Sequence, residues 1–280
     1  MARKADWSGA LGEKWARRAS VMERMLAPFG MAAMDALGDI EGRVALDLGC
    51  GGGASTFTLA GRGATAFGVD VSPDLIALAA ERRARAKGPG RRVGFRCADA
   101  ATAVFAAPVG ALFSQFGAMF FDEPLPAYAH LRRAMAPGAP LAIACWRTVR
   151  ENEWATAPLD AAKALLPPTP PPDPRAPGPF AWAKPEESFA PMLEAAGWRR
   201  VAWAPADAVV EFGAGMGGDK VEAATRFAME IGPMASRLRD VSEGVRRKVE
   251  SAVHAAMAKR AACDGRPQAT AAAWIVTARA

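Results

Sequence analysis

Short apolar runs alternate with longer stretches of helical spacing through the first half of the chain. Residues 7–38 carry Trp15, Ala19, Met22, Met25 and Leu26 at helical intervals, with Pro28 and Gly30 interrupting the pattern. The run Val44-Ala45-Leu46-Asp47-Leu48 then ends in glycines and predicts a buried strand. A helix over 55–60 and a strand over 64–70 follow. Ser72 and Pro73 supply an N-cap and a first helical position for a helix reaching about Lys87, where Gly88-Pro89-Gly90 stops it. Strands are predicted over 93–97, 111–114 and 141–146, with a helix over 125–135 closed by Pro137-Gly138. Strands and helices alternating at this spacing predict an α/β, doubly wound, parallel sheet. Right-handed crossovers bring the ligand-binding loops to its carboxyl edge.

The alternation breaks after residue 150. Eight prolines fall between Pro167 and Pro179 and predict a stiff extended connection. A helix over 186–196 is capped by Gly197. A strand over 199–212 is expected to be interrupted near Pro205, and the last strand covers 271–278. The organisation expected is an N-terminal helical cap (1–43), a ligand-binding core (44–150) and a Pro-rich insertion (151–183). Residues 184–212 and 267–280 complete the sheet, and 213–266 form a helical lid insertion.

Composition narrows the class. The chain has 280 residues, 51% of them hydrophobic, with four cysteines and two histidines. No C-x-x-C pair or histidine cluster is present, so no metal site is expected. No apolar run reaches the length of a bilayer span, and the first residues carry no apolar signal region, so a cytoplasmic location is expected. The net charge is +6. Its densest basic stretch, Arg82 to Lys87, lies at a predicted helix end, where cations are favoured, and reads as solvated surface. No nucleic-acid partner is expected.

The chemistry concentrates at the first strand's end. Asp47-Leu48-Gly49-Cys50-Gly51-Gly52-Gly53 lets the backbone turn tightly and approach a ligand, and the next helix offers unpaired N–H groups to an anion. Asp70, ending the second strand, is placed to accept both hydroxyls of a ribose. Gly49 to Ala54 also satisfies G-x-G-x-x-A, so the turn alone fits a nucleotide-dependent dehydrogenase equally well.

The remaining motifs separate the two. Val44 to Gly51 resembles the first motif of class I S-adenosylmethionine (SAM)-dependent methyltransferases. Phe95-Arg96-Cys97-Ala98-Asp99-Ala100 looks like their third motif. Ala136-Pro137-Gly138 is similar to the turn before their fifth strand. Leu112 to Pro124 resembles a bacterial, ubiquinone/menaquinone-biosynthesis-like (type 11-like) subgroup, although Gln115 replaces a usual arginine and Gly110-Ala111 a usual acidic start. The resemblance implies a Rossmann-like, seven-stranded, mostly parallel sheet with helical lid insertions. It implies SAM as cofactor, leaving as S-adenosyl-L-homocysteine (SAH), held by Asp47, Gly49, Gly51, Asp70, Val71, Asp99, Ala100, Ser114 and Trp15.

It also implies an acceptor pocket from Gln115, Phe116, Met119, Trp146 and Arg147. With Phe227, Met229 and Met234 of the lid, these suggest a small apolar or aromatic acceptor, methylated on O, N or C. Arg147 is a candidate partner for an acidic acceptor. No general base stands out; His130 and His254 are the weak candidates. Proximity and orientation then carry the in-line transfer. The alternatives are an NAD(P)-dependent oxidoreductase and a non-catalytic SAM-binding sensor or scaffold. The oligomeric state is not legible, and a dimer is compatible with the sequence.

Overall fold

The structure is a computed structural model and describes residues 7–105, 108–168, 178–261 and 264–280. The expectation of a stiff connection over 167–179 therefore lies largely outside the described residues. The first helices are α1 (Ala10–Arg17) and α2 (Ala19–Leu37). The core continues as β1 (Val44–Leu48), α3 (Ala54–Gly61), β2 (Thr65–Asp70), α4 (Pro73–Arg85), β3 (Val93–Cys97), β4 (Ala111–Gln115), α5 (Pro124–Ala134) and β5 (Pro140–Trp146). Then come α6 (Glu153–Ala162), α7 (Phe189–Ala195), β6 (Arg199–Glu211), α8 (Lys220–Glu230), α9 (Pro233–Arg237), α10 (Glu243–Arg260) and β7 (Gln268–Arg279).

The seven strands form one sheet in the order β3-β2-β1-β4-β5-β7-β6. Its first five strands are parallel, and β7 runs antiparallel to both β5 and β6. The chain order reverses between β1 and β4, so the crevice of an open α/β sheet opens above those two strands. β5 is buried along its whole length, as its unbroken apolar sequence requires. Ser72 caps α4 by accepting from the Leu75 N–H, as its position before Pro73 predicts.

Two local expectations are corrected. The N-terminal helical stretch breaks at Arg18, between α1 and α2, and not at Pro28 or Gly30. Pro28 sits inside α2, where packing against β4, β5 and β7 outweighs the one helical hydrogen bond proline cannot make. Gly30 serves close approach, because a Cβ there would lie 2.5 Å from Gln115 Oε1. β6 runs unbroken through Pro205; it is an edge strand and tolerates a missing donor. Its irregularity falls instead between Arg199 and Ala202, where Arg200 has φ +52°. Before the proline run, residues 153–162 form α6, which packs against β7 and α10. Among the described residues no helix is long and apolar enough to cross a membrane, and no three His, Cys, Asp or Glu gather as a metal site.

Candidate functional site

The carboxyl ends of β1, β2 and β3 bring Asp47, the glycine turn, Asp70 and Asp99 to one edge. Gly49, Gly51 and Gly53 all have positive φ, which a β-carbon would strain. Gly49 meets a further constraint: a Cβ there would lie 2.8 Å from the Gly117 Cα. The turn after β1 and the segment after β4 thus interlock backbone to backbone. Ser114 secures the same joint by donating to Leu48 O at 2.7 Å. Ser114 is fully buried, so its hydroxyl positions the turn.

Asp47 is fully buried beneath the turn. Its Oδ2 accepts from the Ser55 and Thr56 hydroxyls, both at 2.6 Å. Its Oδ1 has no donor. Burial raises this carboxyl to about 6, the two hydroxyls oppose the rise, and nearby Asp70 adds to it. Asp70 accepts the Gly51 N–H at 2.8 Å and the Ser72 N–H at 2.9 Å. Burial raises it as well, against those backbone donors. The same carboxylate that is placed for a ribose thus shapes the glycine turn. Beyond β3, Asp99 Oδ1 accepts the Ala101 N–H, and Ala100 is buried. Val71 O accepts from Cys97 Sγ.

A cavity of about 170 Å³ lies over the turn. Its walls are Gly49 to Gly52, Ala54, Ser55 and Thr58 on one side. Opposite stand Trp15 and the α2 stripe Ala19, Met22, Glu23, Leu26, Gly30 and Met34, with Gln115 at the end. Trp15 and Met22 both line the cavity. Asp70, Val71, Asp99 and Ala100 do not line this space. Above β2, α1 lies close against the start of α4: a Cβ on Gly12 would sit 2.3 Å from Ser72 Oγ. Trp7 packs edge-on against Trp15 and Phe120 in the same layer.

On the acceptor side, Gln115 Nε2 donates to Leu26 O at 2.8 Å and ties β4 to α2. Phe116, at φ +58°, stacks on Trp146 with centroids 4.0 Å apart. Phe29 meets both rings edge-on, and Trp154 lies 5.0 Å from Trp146. Phe116, Met119 and Trp146 are all buried. They form a packed aromatic wall and line no open space. Arg147 turns toward the sheet edge, pairing with Glu151 and with Asp207 at 3.0 Å and lying over the Trp274 ring. Its charge is committed there.

The structure does not bring either histidine to the cavity. His130 Nε2 bonds to Ala103 O at 2.8 Å beside Phe105, a packing contact made because α5 lies behind β4. His254 lies on α10 in a groove with Arg226 and Arg247. Phe227, Met229 and Met234 are buried within the 213–266 segment and do not line the cavity. Two residues that the sequence reading passed over are prominent. Arg82 leaves the basic stretch to donate to Gly52 O at 2.8 Å and to both oxygens of Glu23, at 2.5 and 3.1 Å. Glu23 interrupts an otherwise apolar helical stripe, and that interruption is the signal the sequence offered.

The donor set suits a nucleoside carrying an amino acid. Asp47 has a buried oxygen lacking a donor, α3 begins with no side-chain cap, and Asp70 ends β2.

Comparison with known proteins agrees. Residues 45–138, about a third of the chain, match the family model described as a methyltransferase domain. A ubiquinone biosynthesis O-methyltransferase of Methylococcus capsulatus is 46% identical over 54 residues, 19% of this chain and 23% of that protein. The match thus spans about a quarter of that relative's length. The YcgJ protein of Bacillus subtilis aligns over 90% of this chain and 97% of its own, with 13% identity and a TM-score of 0.54. A phosphoethanolamine N-methyltransferase of Haemonchus contortus, bound to phosphomonomethylethanolamine and SAH, aligns over 89% of this chain and 52% of its own. Its identity is 16% and its TM-score 0.52. The (4+2)-cyclase SpnF aligns over 89% and 78%, at 19% identity and a TM-score of 0.50. These structures share the class I methyltransferase fold with this chain, and at such identity the likeness is one of fold.

Proposed function

We propose that this chain, whose residues 45–138 are a methyltransferase domain in the class I fold, transfers a methyl group from SAM to a small organic acceptor. The observation that carries the reading is the gathering of Asp47, the glycine turn, Asp70 and Asp99 at the ends of three adjacent strands. A dehydrogenase reading rests on the glycine turn and Asp70 alone, and the matched domain weighs against it.

SAM, when bound, supplies an activated methyl on a positively charged sulfur. The chain's part is to bind, orient and exclude water. Asp70 holds the ribose hydroxyls while still accepting the Gly51 N–H, so ligand and turn are fixed by one group. Asp47 braces the turn through the Ser55 and Thr56 hydroxyls and places its negative charge beneath the amino-acid end. The first turn of α3 faces the carboxylate with unpaired N–H groups. At about 170 Å³ the cavity is smaller than the ~300–1,000 Å³ of most small-molecule sites. Admission of the nucleoside therefore requires α1 to move off Ser72.

Neither histidine stands at the site, and the acceptor this favours is one whose reacting atom is already nucleophilic near neutral pH. Transfer then depends on alignment, which supplies up to ~7–11 kcal/mol of a barrier. The apolar side of the cavity, Trp15, Met22, Leu26 and Met34, favours an acceptor with an apolar or aromatic body.

Titration calorimetry tests this. Micromolar binding of SAM and SAH without binding of NAD(P)H is expected; the reverse would sink the reading. SAM binding without transfer to any acceptor in a broad metabolite screen would instead identify a SAM-binding sensor.

A further inference from the structure

The cavity over the glycine turn is mostly apolar and carries one charge. Among its described lining residues only Glu23 carries a charged side chain. Glu23 is not free to swing, because Arg82 grips both its oxygens while also holding Gly52 O. A Cβ on Gly52 would lie 3.2 Å from Glu23 Oε1, so this carboxylate rests directly on the turn. The lining also contains Ala54 and Ser55, the first residues of α3, whose N–H groups favour an anion. The turn thus offers the Glu23 carboxylate, paired with Arg82 beside Gly52, and an uncapped helix N-terminus two residues further along the chain.

Resting on the SAM reading above, we propose that Glu23 is the specificity-determining acceptor for the α-ammonium of the cofactor's amino-acid end, with Arg82 as its positioning residue. The zwitterion sets its carboxylate toward the start of α3 and its ammonium toward Glu23. This divides the work with Asp47, which lies beneath the turn and outside the lining. It also gives the ion pair a role beyond fastening α2 to α4. A carboxylate held on both oxygens loses little freedom when it accepts one more donor.

The test compares SAH with its analogue lacking only the amino group, by calorimetry on the full chain. Wild-type protein is expected to bind SAH at least about tenfold more tightly than the deamino analogue. In Glu23→Gln that preference is expected to collapse to about twofold, with the analogue bound as well as by wild type. Retained analogue binding shows that the variant is folded. Arg82→Met, which leaves Glu23 ungripped, is expected to lose part of the preference. The proposal is overturned if Glu23→Gln keeps the full preference, if it weakens both ligands equally, or if wild type shows no preference. Those results leave the SAM reading intact. Failure of wild type to bind SAH would overturn both.

Discussion

The two ends of the site are built differently. At the cofactor end, polar groups find partners in the glycine turn and the segments that follow β1 and β2: Asp47 with Ser55 and Thr56, Asp70 with Gly51 and Ser72. At the acceptor end, four rings meet from four separate segments: Phe29 on α2, Phe116 after β4, Trp146 ending β5 and Trp154 on α6. The first arrangement specifies a ligand through fixed donors and acceptors. The second specifies only volume and apolar character. A local polar network can be kept while the tertiary aromatic wall is varied, which is how one cofactor site comes to serve different acceptors.

The sharpest way to break this comparison is Trp146→Ala. Trp146 is buried and touches Phe29, Phe116 and Trp154. If the wall is core, truncation costs about 3–5 kcal/mol in chemical denaturation. SAH affinity should stay within about threefold, because no polar partner of the cofactor end is touched. An unchanged stability would show that the ring lines a pocket that opens in solution. A large loss of SAH affinity would show that the two ends are one unit.

The cofactor end has its own signature in pH. Burial holds Asp47 at about 6, above its ordinary 3.8. Between those values the native state binds more protons than the unfolded chain, so this group's contribution to stability falls as pH rises. Above pH 6 the buried anion costs about 3 kcal/mol, the equivalent of the displacement. Asp47→Asn is therefore expected to be more stable than wild type at pH 8, with the gap closing by pH 4. Thermal melts across that range check it. Binding should run oppositely: the ionised Asp47 attracts a cationic group, so wild-type SAH affinity rises through pH 6. In Asp47→Asn that rise should vanish. A flat wild-type profile would show that Asp47 only shapes the turn.

This difference between the ends also decided what the sequence could say. β1 and β3 lie where the apolar pattern put them, at Val44–Leu48 and Val93–Cys97. The Asp47-to-Gly53 turn was readable because its constraints, positive φ and a following helix, belong to consecutive residues. Ser114 was assigned to the cofactor; that it bonds Leu48 O and is sealed from solvent depends on the pairing of β4 with β1. Pro28 and Gly30 misled because the packing that retains them in α2 comes from strands more than eighty residues away. Arg82 read as solvated surface because its partner, Glu23, lies on another helix. The polar residue inside the apolar stripe of α2 was the available clue.

The smallest effect concerns Arg147, which the sequence offered as a contact for an acidic acceptor. The structure places its guanidinium between Glu151, Asp207 and the face of Trp274, about one-fifth exposed. Such pairs stabilise weakly because solvent screens them and ordering two side chains costs entropy; a cation over an exposed ring adds about 0.5–1 kcal/mol. Arg147→Ala should therefore cost about 1 kcal/mol in a denaturation curve and leave SAH affinity unchanged. Its value lies in contrast with Trp146→Ala. The two residues are adjacent at the end of β5, but successive strand side chains face opposite sides of the sheet. Trp146 lies against α2 through Phe29, while Arg147 lies against β6 and β7. If Arg147→Ala abolished turnover of an acidic acceptor while stability and SAH binding held, the acceptor would have to approach across the β7 side. The aromatic wall would then be core throughout, and the methyl group would leave the cavity by a different face of the sheet edge.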